Sequence, residues 1–164
     1  MSPIETAERV HRVCSHVMSR VDVASMRNMA SEDVPGWLRP RLVAGLNEIY
    51  PDATDAVGSI LTDRALDQIL GLGALEPLLR DLSISQILIE GPHDVKVIRG
   101  AGEPQDSPLV FHDEIQLRRI FDRICNAIHK PLKAGRVQAT MGDGSKLHAW
   151  LDDGDVKAHI IRDA

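Results

Sequence analysis

Residues 136–161, RVQATMGDGSKLHAWLDDGDVKAHII, contain three short runs in which apolar and polar residues alternate. Alternation of this kind places successive side chains on opposite faces of a strand. Gly142-Asp143-Gly144 separates the first run from the second, and Asp152-Asp153-Gly154-Asp155 the second from the third. Both spacers carry hairpin turn chemistry, so the segment is expected to form a three-strand meander. Its faces agree only if the first turn takes three residues, with Gly144 in the left-handed region. Val137, Ala139 and Met141 then share an inner face with Leu147, Ala149, Leu151, Val156, Ala158 and Ile160. That register sets His148 opposite His159 and Trp150 opposite Lys157. The outer face carries Gln138, Thr140, Lys146, His148, Trp150, Lys157, His159 and Ile161.

Upstream, ISQILIE (84–90) and VKVIR (95–99) read as two more strands joined by the turn GPHD, after a short helix or turn at ALEPLLRD. GAGEPQDSP (100–108) reads as a polar loop. Asp113 with Gln116 is a capping-box signature, and Ile120, Phe121, Ile124 and Ile128 give the following helix an inner face that ends before Pro131.

The first 70 residues have a different period. Ser2, Pro3 and Glu5 open a helix whose stripe is Ile4, Ala7, Val10, Cys14, Val17, Met18 and Val21. SEDVPG (31–36) breaks the pattern. A second helix carries Leu38, Leu42, Leu46 and Ile49, with Pro40 acceptable only near its start. A third runs from about Thr54 to Leu70 on Val57, Ile60, Leu61, Ala65 and Ile69, and Gly71 and Gly73 stop it. The expected fold is α+β: a helical bundle over 1–70, then a small α/β domain over 71–164 with a mostly antiparallel sheet and the C-terminal meander.

Composition narrows the function. Of 164 residues 43% are hydrophobic and 26% charged, which excludes a wholly disordered chain. No apolar run approaches the roughly 20 residues of a membrane span, and the charged N-terminus does not read as a signal peptide. Two distant cysteines, Cys14 and Cys125, argue against a disulfide scaffold and fit a cytoplasmic location. The net charge of -5 disfavours wholesale nucleic-acid binding. Locally, however, Arg118, Arg119, Arg123, Lys130, Lys133 and Arg136 face one acid, Asp122, which suits a solvated helix face or an anion rim.

Catalytic signatures are missing from the sequence. GDGSK (142–146) has the look of a phosphate loop's tail, but no glycine stands five residues before Gly144 and a strand follows where a helix is needed. GxSxG, HExxH and dinucleotide fingerprints do not occur. His148 and His159 are two ligands where zinc normally takes at least three, so no metal site is expected, and no cofactor.

The run GLGALEPLLRDLSISQILIEGPHDVKVIR (71–99) resembles the start of the N-terminal domain of type II/IV secretion ATPases, and most nearly the CpaF/TadA-like motors of tight-adherence (Tad) pili. The resemblance extends over about residues 60–163. DEIQLRRIFDRI is similar to the family's next helix, residues 138–146 to its Asp-Ala-Arg-Leu-x-Asp-Gly-Ser-Arg hairpin, and AHIIRD to its last strand before the motor domain. In that family arginines of this domain line the nucleotide cleft. Here the hairpin's arginines stand as Thr140 and Lys146 and its aspartate as Gln138, and the chain ends where the RecA-like domain would begin. The resemblance therefore implies a basic nucleotide rim of Lys130, Lys133, Arg136 and Lys146, with lysine a poor substitute for arginine's fork.

The expected function is a non-catalytic binding or regulatory module that docks on a pilus or secretion motor ATPase, or on its membrane platform protein. His148, Trp150, Lys157 and His159 are the expected partner-binding residues. The alternative is the N-terminal fragment of a complete ATPase whose catalytic domain lies outside this chain. Self-association is a further expected contact. Neither nucleic acid nor direct membrane insertion is expected, and the location is cytoplasmic, including the inner face of the membrane through a secretion machine.

Overall fold

The computed structural model describes residues 1–162, apart from the side chain of Ala134. The chain divides into two compact units, Met1–Glu76 and Pro77–Ala164.

The first unit is helical. It contains α1 (Pro3–Met18), α2 (Val23–Arg27), α3 (Val34–Ile49) and α4 (Asp55–Leu70). The Ser2 hydroxyl accepts from Glu5 N at 3.1 Å, and Thr54 caps α4 by accepting from Val57 N at 3.3 Å. Helices α1, α3 and α4 pack pairwise. Their core joins Val10, Val13, Cys14 and Val17 to Leu38, Leu42, Leu46, Leu61, Ala65 and Leu66. Two stripe residues, Ile4 and Ile60, lie exposed instead. Burial of the Cys14 sulfur pushes its thiol pKa up to about 12, and the sulfur points at Ala65 O. Both cysteines are free and buried.

One expectation fails here, and one helix was not foreseen. Helix α3 begins at Val34, inside the segment expected to break structure, so Pro40 lies in its interior rather than near its start. Proline removes the hydrogen bond to the carbonyl four residues back, that of Gly36, which is exposed and open to water. One turn on, Arg41 Nη1 donates to Trp37 O at 2.6 Å and reinforces the weakened turn. The short α2 shows no apolar period and buries nothing; the Asp22 carboxylate caps it by accepting from Ala24 N at 3.1 Å.

Glycines in α3 and α4 act oppositely. A Cβ on Gly45 would lie 2.5 Å from Val17 Cγ2, whereas one on Gly58 would meet Leu46 Cδ2 at an ordinary 3.7 Å. Gly-to-Ala in a helix interior gains about 0.8–1 kcal/mol of propensity. Overpacking costs about 1–3 kcal/mol, and Val17 is buried and stiff at χ1. Gly58→Ala is therefore expected to raise the melting temperature and Gly45→Ala to lower it, read by thermal circular dichroism. A rise for both would refute the close approach of α1 and α3.

The second unit is α+β. Helix α5 (Leu75–Arg80) spans the boundary between the units, and β1 (Ile84–Ile89), β2 (Val95–Arg99), β3 (Gln105–Asp106), α6 (Glu114–Ala127), a 3-10 turn (Leu132–Ala134), β4 (Arg136–Thr140), β5 (Lys146–Asp152) and β6 (Asp155–Ile161) follow. One six-stranded sheet has the order β3-β2-β1-β6-β5-β4, and its strand pairs are all antiparallel. The two-residue β3 lies inside the expected polar loop, where it pairs with β2.

The meander has the expected register, with His148 opposite His159 and Trp150 opposite Lys157. Gly144 has φ +86 in a three-residue turn closed by Met141 N to Ser145 O at 2.7 Å. Asp153 (φ 52) and Gly154 (φ 85) make the second turn, the positive pair of a type I′ hairpin. On the inner face Val137, Leu147, Ala149, Val156, Ala158 and Ile160 are buried, and α6 packs against β6. Asp113 caps α6 by accepting from Gln116 N at 2.8 Å, while Gln116 Oε1 accepts from His112 N, one residue before the cap.

Asp81 organises the corner between α5 and β1. Its Oδ2 accepts from Arg99 Nη1 at 2.7 Å, and its Oδ1 accepts from Ser83 N at 3.0 Å and Ser83 Oγ at 2.6 Å. The Arg99 hydrogen bond, then those of Ser83, lower its pKa from 3.8 to about 2. A depressed carboxylate contributes stability above its unfolded value and loses it as pH falls through the folded one. Asp81→Asn is thus expected to weaken the fold at pH 7 and to flatten the loss of stability between about pH 4 and pH 2. Urea midpoints across that range check this; parallel pH curves for variant and wild type would contradict it.

Candidate functional site

The outer face of the sheet carries the side chains singled out in the sequence. Opposite registers carry one row across every strand: Gln138, His148, His159, Leu88, Lys96 and Asp106. Arg136, Trp150 and Lys157 form the neighbouring row, and Thr140, Lys146 and Ile161 the row on the other side. In contrast to the buried inner face, these side chains are exposed or half-exposed.

Trp150 lies at the centre of the aromatic contacts. Its ring centroid is 4.9 Å from that of His148 and 5.4 Å from that of His159, the latter edge-on. The Arg136 guanidinium lies 5.6 Å from the Trp150 ring centroid, and its Nη1 is 3.4 Å from His148 Nε2. Cation–π placement of this kind fixes the guanidinium without neutralising it. Lys157 donates from Nζ to Glu90 O, with the Glu90 carboxylate at 3.9 Å.

Beside this cluster a groove of about 480 Å³ is lined by Lys130, Gln138, Thr140, Lys146, His148 and His159, among others. Lys130 reaches it from the turn after α6. His129 at φ 59 and Pro131 redirect the chain there, and Lys130 Nζ donates to Gln138 O at 2.8 Å. The groove thus combines Lys130 and Lys146, read as a nucleotide rim, with His148 and His159, read as partner contacts. Arg136, Trp150 and Lys157 adjoin it in the next row. Lys133, in the 3-10 turn, is exposed and does not line the groove. Sequence reading missed Leu88 and Lys96, which continue the row on β1 and β2. Among the described residues no three His, Cys, Asp or Glu side chains gather as a metal-ligand set.

A second cleft, also about 480 Å³, lies in the helical unit beside Trp37, Gly45 and Glu48. Its charged groups brace the bundle. Glu48 Oε2 contacts His16 Nε2 at 2.7 Å and accepts from Arg20 Nη1 at 2.7 Å, and these two partners hold its pKa below the ordinary value. The Arg41 guanidinium stacks 3.9 Å from the Trp37 ring centroid. The Glu48 contacts tie α1 and the turn after it to α3, the Arg41 stack lies within α3, and nothing in the sequence had marked them.

No known family model matches the chain, and no curated protein matches it. Among solved structures it is similar to the VirB11 ATPase from the Brucella suis type IV secretion system, determined in complex with sulphate. Identity is 17%, the TM-score is 0.48, and the match covers 57% of this chain. The chain spans only 30% of that protein's chain. A likeness at this level fixes neither the fold family nor the function. Among the described residues no helix is long and apolar enough to cross a membrane.

Proposed function

We propose that the chain is a non-catalytic binding module which docks, through the outer face of its sheet, on a pilus or secretion motor ATPase or on that motor's membrane platform protein. The observation that carries this reading is Trp150, partly exposed on the outer sheet face and held by two imidazoles and a guanidinium. Tryptophan and arginine dominate interface hot spots, and here both are fixed before any partner arrives. The resemblance of residues 71–99 to secretion ATPases supplies the class of partner. The reading assigns no chemical step and no cofactor to the chain, and it makes regulation of the motor by docking its role.

The test uses purified motor ATPase and the cytoplasmic part of its platform protein from the same cell, each measured against the chain by interferometry. Trp150→Ala should weaken binding by about 2 kcal/mol, roughly 30-fold. Trp150 is partly buried, so its removal also costs stability, and binding is compared on samples that a thermal melt shows to be folded. Absence of binding to both proteins, or a variant that binds like the wild type, would refute the reading.

A further inference from the structure

We infer that the occupant of the groove and the Trp150 row is an acidic segment of a partner protein with one apolar side chain, read by carboxylate–cation pairing around a tryptophan anchor. This rests on the reading above in taking the outer face as the docking surface, and it adds the chemistry of what docks.

The inference begins with how the cations are held. Over much of the molecule, basic side chains meet carboxylates: Arg9 with Glu5, Arg39 with Asp63, Lys96 with Asp106, Arg99 with Asp81, Arg118 with Asp122. Lys130 and Arg136 are held differently. Lys130 donates to a neutral carbonyl, and Arg136 lies against an indole and an imidazole. Among the described residues neither has a carboxylate partner, so their direction is set by neutral groups. Charges fixed in place by neutral groups lose little entropy when a carboxylate arrives.

The extent of the site points to a chain rather than a single ion. Lys146 and Trp150 are four residues apart on β5, about 13 Å at strand rise. One phosphate spans a small part of that distance, whereas carboxylates two residues apart on an extended segment recur about every 6.6 Å. Trp150, with half-exposed Leu88 and Ile98 on the same face, offers apolar contact that a bare polyanion would leave unused. A nucleic acid would also run past this face onto a molecule of net charge -5. A short acidic peptide can keep to the side of Lys130, Arg136 and Lys146, away from the Asp152–Asp155 pair that flanks the Trp150 row on the same face.

The probe is a fluorescein-labelled twelve-residue peptide of Asp and Glu carrying one central Leu, followed by anisotropy against the whole chain. The expected result is saturable binding that weakens at least tenfold between 50 and 300 mM NaCl. Trp150→Ala should weaken it tenfold or more, and so should the exposed double change Lys130→Glu with Arg136→Glu, which leaves the buried core untouched. Arg119→Glu, an exposed basic position on α6, should bind like the wild type. Loss of binding in Arg119→Glu, equal binding of a Lys-rich peptide, or displacement of the probe by tripolyphosphate or single-stranded DNA at equal charge would overturn the inference. The two readings fail separately. Peptide binding without motor or platform binding sinks only the docking partner. Motor binding that needs Trp150 but ignores salt and the Lys130/Arg136 charge reversal sinks only the acidic segment.

Discussion

Phe121→Ala is expected to remove about 3–5 kcal/mol from the stability of the sheet unit, the range for truncating a buried aromatic. Phe121 is fully buried on the inner stripe of α6, between Leu117 and Ile124 in the helical repeat. It and Phe111 are the largest fully buried side chains. The sheet beneath is shaped for bulk on the helix side, because Ala149 and Ala158 face each other across β5 and β6 and both are fully buried. Phe121 is fully buried, so removing its ring leaves a cavity whose cost adds to the lost transfer free energy. A marginal domain holds only about 5–15 kcal/mol in total, so the variant should lose much of its folded population on mild heating. Urea unfolding followed by hydrogen exchange of β5 and β6 amides measures this. The amides of Leu38 and Leu42 report the helical unit and serve as the internal control. A loss below about 1 kcal/mol would mean that the inner face repacks freely.

The meander was legible because its constraints are local. Gly144 at positive φ, the Asp153-Gly154 pair and strict alternation leave one register that buries Val137, Leu147, Ala149, Val156, Ala158 and Ile160, while Ala139, Met141 and Leu151 stay half-buried. The caps of α1 and α6 were legible for the same reason, since each is settled within three residues. Illegible features depend on distant pairing or on space. The junction of β1 with β6 joins residues about 70 positions apart, and alternation in each strand does not say which strands meet. The outer row could therefore be read through His148 and His159 but not onward to Leu88 and Lys96. Gly45 reads in sequence only as a poor helix former, and its use appears once Val17 is found against it. Lys130 looked like one more charge in a basic stretch, and only the turn at His129 and Pro131 returns it to Gln138. Pro40 was misread because a single proline is a strong local signal, and tertiary packing of Leu38 and Leu42 overrode it.

Arg162→Ala is expected to cost about 3 kcal/mol, because charge-assisted hydrogen bonds are worth about 1.5–3 kcal/mol each and do not add fully. The residue directly follows β6, and its side chain is mostly buried, with 18% exposure. Nη1 donates to Asp81 O at 3.0 Å, and Nη2 donates to Leu79 O. The backbone N of Arg162 donates to Ser85 O at 2.8 Å, which extends the β1–β6 ladder by one bond. One planar fork therefore ties the end of the last strand to the α5–β1 corner that Asp81 and Arg99 hold from the other side. Asp143, in the first hairpin turn, lies 3.8 Å from Nη2 and adds a weak ion pair. Removing the guanidinium takes the donor from Leu79 O, whereas Asp81 O keeps Ile84 N at 3.1 Å, so most of the cost is the lost charge-assisted hydrogen bonding at the corner rather than lost packing. Arg162→Lys should recover less than half of the stability, since one ammonium cannot match two carbonyls along fixed directions. Asp143→Asn should cost at most about 1 kcal/mol, as a partly exposed pair does. Urea midpoints for the three variants rank these effects. If lysine restored the wild-type midpoint, charge near Asp143 rather than the forked geometry would be what closes the sheet.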